Sequence, residues 1–201
     1  RHIYVMGLRS AAPIAQFLAY YLNFIFDNVR IVSEASGDVF EQISRINESD
    51  LLFGISFPRY SKRIIDAMDY AKSKGAVTVA LTDSDTSPLA QGTDHLLIAR
   101  SDMASFVDSY VAPLSVINAL IVAVSKKKKQ DVAETFEKLE AIWDEYDVYE
   151  KQYVDVNGNS FTCSMKDNDA KLFRLMDPGK IAVLAQTNGG HAQLSAPGVS
   201  Q

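Results

Sequence analysis

The sequence predicts an α/β protein, a parallel sheet covered by helices on both faces. Three observations predict it. Short apolar runs stopped by turn residues alternate with longer segments of helical period. The helical segments between the first runs are long enough to serve as crossovers, which parallel neighbours require. The chain has 201 residues, 47% of them hydrophobic and 22% charged, enough for one domain with its own core and a small appendage.

The first strand is Ile3-Tyr4-Val5-Met6, stopped by Gly7. Its unbroken apolar run reads as a strand buried on both faces. Ser10 is placed to cap the next helix, with Pro13 in its first turn. Ile14, Phe17, Leu18, Tyr21, Leu22 and Ile25 then recur at three- and four-residue steps, one face of that helix. A second strand is expected over Val29–Val32 and a short helix over Asp38–Ile46. Leu51–Ile55 is the third strand. Ser61–Lys74 is a helix with Ile64, Ile65, Met68 and Ala71 on one face and Gly75 as its left-handed terminator. Val77–Leu81 and His95–Ile98 complete the strands, and helices are expected over Ala104–Ser125 and Asp131–Tyr146.

Doubly wound sheets reverse their strand order once, and ligands sit outside the carboxyl ends of the strands at that point. The loops that follow strands one, three and four are therefore the candidate site. They read Gly7-Leu8-Arg9-Ser10, Ser56-Phe57-Pro58-Arg59-Tyr60-Ser61 and Thr82-Asp83-Ser84-Asp85-Thr86-Ser87-Pro88. Hydroxyls and free amides at helix N-termini bind anions, and arginine adds a bidentate clamp. Taken singly, Ser10, Ser61 and Ser87 read as helix caps. Taken with Arg9 and Arg59, they read as an anion site.

The remaining composition is mostly exclusion. The net charge is −5, against a general nucleic-acid-gripping surface. The single cysteine, Cys163, excludes a disulfide scaffold and fits a reducing cytoplasm. His2, His95 and His191 have no metal-ligand spacing, so neither metal nor cofactor is expected. Val107–Val124 is the most apolar stretch, but Asp108, Pro113 and Asn118 interrupt it. It reads as a buried helix, and no membrane span is expected. Lys126–Lys129 reads as a solvated helix end, and Trp143 as a packing residue.

Residues 1–150 carry 15 basic and 21 acidic side chains, residues 151–201 carry 5 and 4. The last 51 residues also hold five of the ten glycines. A domain over 1–150 and a separate C-terminal extension over 151–201 are expected on that shift. In the extension, Tyr153–Val156 and Asn159–Cys163 flank Asn157-Gly158, a hairpin signal. Leu172–Met176 and Lys180–Ala185 around Asp177-Pro178-Gly179 read as a second hairpin, with a helix turn over Leu172–Met176 an equal reading, and the chain from Thr187 reads as loose.

Gly7-Leu8-Arg9-Ser10-Ala11, Ile55-Ser56-Phe57-Pro58-Arg59-Tyr60-Ser61, and Thr82-Asp83-Ser84 with Ser87-Pro88-Leu89-Ala90 resemble the sugar isomerase (SIS) domain. The Phe-Pro-Arg-Tyr-Ser phrase resembles the branch found in RpiR/MurR-type bacterial transcription regulators, as does the ending Leu139–Tyr146 with Tyr149. The resemblance covers residues 1 to about 150. It implies a five-stranded parallel sheet in the flavodoxin-like order, a homodimer, and a phosphosugar at the ends of strands one and three. Carried over by position, Ser56 and Ser61 are the phosphate-loop hydroxyls. Arg9, Ser10 and Ser87 approach the sugar or its phosphate, and Gly7, Arg59 and Tyr60 of the same loops are expected to bind the ligand with them. Many SIS enzymes show Ser-x-Ser-Gly-x-Thr where this chain has Pro58 and Arg59 in place of a serine and the glycine. The lost hydroxyl and added cation favour a ligand with a second acidic group, such as a sugar acid phosphate.

Regulators of this branch carry an N-terminal helix-turn-helix, whereas Arg1 stands two residues before the first strand. The expectation is a phosphosugar-sensing effector domain, cytoplasmic, touching DNA only through a part absent from these residues. The competing reading is an aldose–ketose phosphate isomerase. That chemistry needs a general base, for which Glu34 and Glu41 are the nearest candidates. No histidine falls in a candidate loop, and no catalytic residue is assigned. A third reading is an oligomerisation module with a vestigial pocket.

Overall fold

The computed structural model describes residues 1–100 and 108–149, and the backbone of 153–154 and 160–161. Its elements are β1 (Ile3–Gly7), α1 (Ala12–Leu22), β2 (Val29–Val32), α2 (Val39–Gln42), β3 (Leu51–Ile55), α3 (Lys62–Ser73), β4 (Val77–Thr82), β5 (His95–Ile98), α4 (Val111–Lys127), α5 (Lys129–Glu145), β6 (Tyr153–Val154) and β7 (Ser160–Phe161). The chain divides into two compact units, Arg1–Glu137 and Lys138–Gln201, a division inside α5.

In the first unit the five strands run in the order β2-β1-β3-β4-β5, and every pairing is parallel. The order reverses between β1 and β3. The pleat sends alternate residues of each strand to opposite faces. Tyr4, Met6, Leu52 and Ala80 pack against α2 and α3 through Val39, Ile64, Ala67, Met68 and Ala71. Val5, Phe53, Ile55 and Leu81 pack on the other face against Ile14, Ala15 and Leu18 of α1 and Ile117 of α4. The apolar runs in the central strands follow from this, because both faces are covered.

Helix ends depart from the sequence reading in three places. Ser10 does not cap α1. It lies in a 3-10 turn over Arg9–Ala11, and Ala11 holds the N-cap position with no side-chain bond. Pro13 stays in the first turn as expected. Asp38, at the predicted start of α2, does act as a cap and accepts the Phe40 N–H at 2.8 Å, but that helix ends at Gln42. The helix expected from Ala104 begins at Val111, since 108–110 are not helical and Pro113 belongs in a first turn. Its residues 104–107 lie outside the described set. Gly75 ends α3 as expected, with φ 82°. Its N–H donates to Lys72 O at 2.9 Å and the Ala76 N–H to Ala71 O at 3.1 Å, the two bonds of a Schellman motif. Lys126–Lys129 spans the α4–α5 join, exposed, with Lys128 paired to Asp131 at 2.7 Å.

In the second unit, β6 and β7 pair antiparallel, Tyr153 opposite Phe161 and Val154 opposite Ser160. Both pairs fall within the two strands of the first expected hairpin. Trp143 meets the Tyr149 ring edge-on at 5.1 Å. The second expected hairpin and the chain from Thr187 lie outside the described residues. No helix of the described residues is long and apolar enough to cross a membrane.

Two close approaches carry a prediction. A Cβ on Gly7 would stand 2.6 Å from the Ala11 carbonyl oxygen and 2.8 Å from the Ala15 Cβ. One on Gly54 would meet the Met68 sulfur at 2.7 Å, the end of a flexible side chain. Urea unfolding should show Gly7→Ala destabilised by roughly 1–3 kcal/mol through overpacking, and Gly54→Ala by less, since Met68 has room to turn.

Asp94 ties β5 to β4. Its Oδ2 accepts the Thr78 N–H and hydroxyl, both at 2.8 Å, and its Oδ1 accepts from Lys72 at 3.0 Å. The Thr78 amide and hydroxyl bonds, then Lys72, lower its carboxyl from 3.8 to about 2. A carboxyl lowered on folding stabilises in full above its unfolded value, and the gain is lost as pH falls through the folded one. The thermal midpoint of Asp94→Asn should therefore lie below wild type at pH 5, and the gap should close between about pH 4 and 2.

Candidate functional site

The site follows from the order reversal. Parallel neighbours whose following helices leave to opposite faces part at their carboxyl ends and leave a crevice. Here α1 follows β1 to one face and α3 follows β3 to the other. A cleft of about 410 Å³ opens there. It is lined by Leu8–Ala11 after β1, by Ser56–Arg59 and Ser61 after β3, and by Asp108 and Tyr110 before α4.

The β3 loop is held by its own serine. Ser56 is 4% exposed, and its Oγ accepts the Ser61 N–H at 3.1 Å. Ser61 takes the N-cap position of α3 but makes no capping bond with its side chain. Its hydroxyl thus sits beside the first amides of a 12-residue helix, where an anion is favoured by free N–H groups and the helix dipole.

Both predicted arginines line the cleft, and both have left-handed backbone, Arg9 at φ 56° and Arg59 at φ 67°. Among the described residues, Asp147 alone is a further non-glycine with positive φ. Such residues are uncommon and concentrate at functional sites. Arg59 occupies the position that carries glycine in the enzyme pattern, and glycine adopts this conformation without cost. Both side chains are exposed, and neither forms an ion pair with a described carboxylate.

Arg9, Ser10, Ser56, Arg59 and Ser61 are thus brought together. Gly7, Tyr60 and Ser87 do not line the cleft. Gly7 provides the close approach described above. The Tyr60 phenol donates to Asp83 Oδ1 at 2.9 Å, tying the β3 loop to the β4 loop. Its phenol pKa is raised, first by burial and then by the Asp83 carboxylate. Ser87 is buried, and its Oγ accepts the Ala90 N–H at 3.2 Å across a turn, capping no helix. Glu34 lies in a 3-10 turn after β2 and Glu41 in α2, and neither lines the cleft.

The sequence reading missed Asp108 and Tyr110, because both fell inside an expected helix. The interruption of the apolar stretch at Asp108 was the available signal. The Tyr110 phenol donates to Asp108 Oδ2 at 3.1 Å. Burial above all raises the Tyr110 pKa, as does Asp108, while Ser10 and the Arg59 charge act in the opposite direction. Among the described residues no cluster of three or more His, Cys, Asp or Glu could hold a metal ion.

The family model of the SIS domain matches residues 1–123. The chain belongs to the SIS domain family. An uncharacterised HTH-type transcriptional regulator of Caldanaerobacter subterraneus subsp. tengcongensis is 34% identical over 127 residues, 60% of this chain and 45% of that protein. The chain spans about half the length of the curated HTH-type regulators it matches. The crystal structure of the sugar isomerase domain of an RpiR transcription factor from Sphaerobacter thermophilus is 27% identical, with a TM-score of 0.66 over 70% of this chain and 78% of that one. The NanR protein of Vibrio vulnificus complexed with ManNAc-6P shares the fold at 23% identity, with a TM-score of 0.60 over 70% of this chain and 56% of that one. The SIS fold and its likeness to RpiR-type regulators agree with the sequence reading.

The left-handed Arg59 carries a prediction. Arg59→Gly should be more stable than Arg59→Ala by about 0.5–1 kcal/mol. That is the left-handed penalty of roughly 1–2 kcal/mol for a residue with a Cβ, less the roughly 0.5–1 kcal/mol of extra chain entropy that glycine loses on folding. Chemical denaturation of the two variants measures the difference.

Proposed function

We propose that this SIS domain binds a phosphorylated sugar in the β1–β3 cleft and acts as the sensing part of an RpiR-type transcription regulator. The single observation that carries the reading is the meeting of Arg9, Arg59, Ser56 and Ser61 at the amino end of α3. Two guanidiniums, two hydroxyls and free amides match the charge and acceptor oxygens of a phosphate. The regulator role is supported by the relatives named above. The DNA contact then belongs to another part of the regulator, and the domain works as a cytoplasmic homodimer. The ligand shifts that dimer only as far as it binds one arrangement better than the other.

The isomerase reading retains one observation in its favour. Asp108 is a carboxylate in the cleft, and an aldose–ketose shift needs a base near the sugar carbons. Its Oδ2 already accepts from Tyr110. We assign the domain to sensing without turnover.

A thermal-shift screen of sugar phosphates tests the reading. A ligand at a hundred times its Kd stabilises by about 2.7 kcal/mol. For a chain of this size that is a rise of roughly 5–10 °C. Ser61→Ala should weaken the same ligand by on the order of 1.5–3 kcal/mol, the worth of a hydrogen bond to a charged group. If no sugar phosphate raises the midpoint, both sensor and isomerase fall. Exchange of the proton beside the ligand's carbonyl with solvent would decide for the isomerase.

A further inference from the structure

We propose that Asp108 and Tyr110 are specificity-determining residues. The Asp108 carboxylate, with the Tyr110 phenol bonded to it, is the acceptor of the cleft that selects phosphosugars bearing hydroxyls or an amine and rejects their sugar-acid counterparts. This rests on the phosphosugar reading of the same cleft.

The Tyr110 phenol donates to Asp108 Oδ2 at 3.1 Å. A phenol has one proton to give, so that proton is committed to the carboxylate. Lone pairs then remain on the phenol oxygen and on Asp108 Oδ1, which no described donor reaches. The other polar groups of the lining favour anions. Arg59 has donors only, and Ser56 and Ser61 lie at the amino end of α3, which favours anions. The cleft thus combines anion-favouring donors with one carboxylate acceptor.

Charge points the same way. The lining holds two guanidiniums, Arg9 and Arg59, and one carboxylate, Asp108. A phosphate monoester carries about −1.5 to −2 at neutral pH, so the two cations are matched by the phosphate alone. A second acidic group on the ligand would find no free cation and would face Asp108 as a like charge. A hydroxyl or ammonium there finds an acceptor that burial has partly removed from water. Sites built to pair a polar group discriminate against analogues that leave it unpaired. The extra cation at Arg59 therefore does not imply a sugar acid phosphate, as the sequence read without Asp108 suggests.

Calorimetry on the full chain tests the assignment with four probes: inorganic phosphate, hexose 6-phosphates, hexosamine 6-phosphates and 6-phosphogluconate. Wild type should bind a hexose or hexosamine phosphate at least tenfold tighter than 6-phosphogluconate. Asp108→Asn, which keeps the shape and removes the charge, should narrow that ratio to about threefold and leave inorganic phosphate within twofold. Tyr110→Phe should move the ratio in the same direction by less. Ser61→Ala should weaken all four probes alike. Tight 6-phosphogluconate binding in wild type, or equal weakening of every probe by Asp108→Asn, overturns the assignment while the phosphosugar reading stands. If none of the four probes binds, the phosphosugar reading falls and this inference with it. Unliganded melting of each variant within a few degrees of wild type shows that folding is not what changed.

Discussion

The reversal of strand order between β1 and β3 is the constraint on which the site depends. With β1 between β2 and β3, the helix after β1 and the helix after β3 must leave to opposite faces. Their first turns cannot cover the space between the two strand ends. Two local features keep that space shaped. Gly7 lets the 3-10 turn fold back within 2.6 Å of where a Cβ would lie. Ser56 draws the Ser61 amide onto its own hydroxyl. One device acts by omission of a side chain, the other by a buried hydrogen bond, and each acts on one lip of the cleft.

Strain collects at the same lips. Arg9 and Arg59 stand in a conformation that costs any residue with a Cβ on the order of 1–2 kcal/mol. The surrounding packing supports the cost, because the sheet beneath is covered on both faces by apolar clusters. A rigid base and a strained, polar rim are a common division between scaffold and site. Asp94 shows the scaffold side of that division, with two donors of Thr78 holding the β5 edge to β4 and a third, Lys72, joining it to α3.

Much of the fold was legible because its signals are local. The apolar runs of β1, β3 and β4 and the three- and four-residue steps of α1 and α3 depend on neighbours a few positions away. Gly75 was legible for the same reason, since a left-handed terminator is a property of one residue. Caps were less so. Ser10 and Ser61 stand where capping serines stand, yet neither side chain caps its helix. Ser10 is taken up in the 3-10 turn ahead of α1, and the Ser61 amide is held by Ser56. The start of α4 was misplaced because an apolar composition continues upstream of the point where Pro113 lets the helix begin.

By itself the sequence determined the strands, the alternation that makes them parallel, and the two arginines and two serines at one end of the sheet. Hydrophobic period and turn chemistry are written in short windows, so they survive without coordinates. The tertiary structure alone decided that Ser87, Tyr60 and Gly7 stand apart from the cleft and that Asp108 and Tyr110 enter it. Ser10 and Tyr110 are far apart in sequence, and their meeting depends on how α4 packs against the α1 face of the sheet. The entry of Asp108 turns a loop read as a pure anion site into a cleft that also holds a carboxylate acceptor.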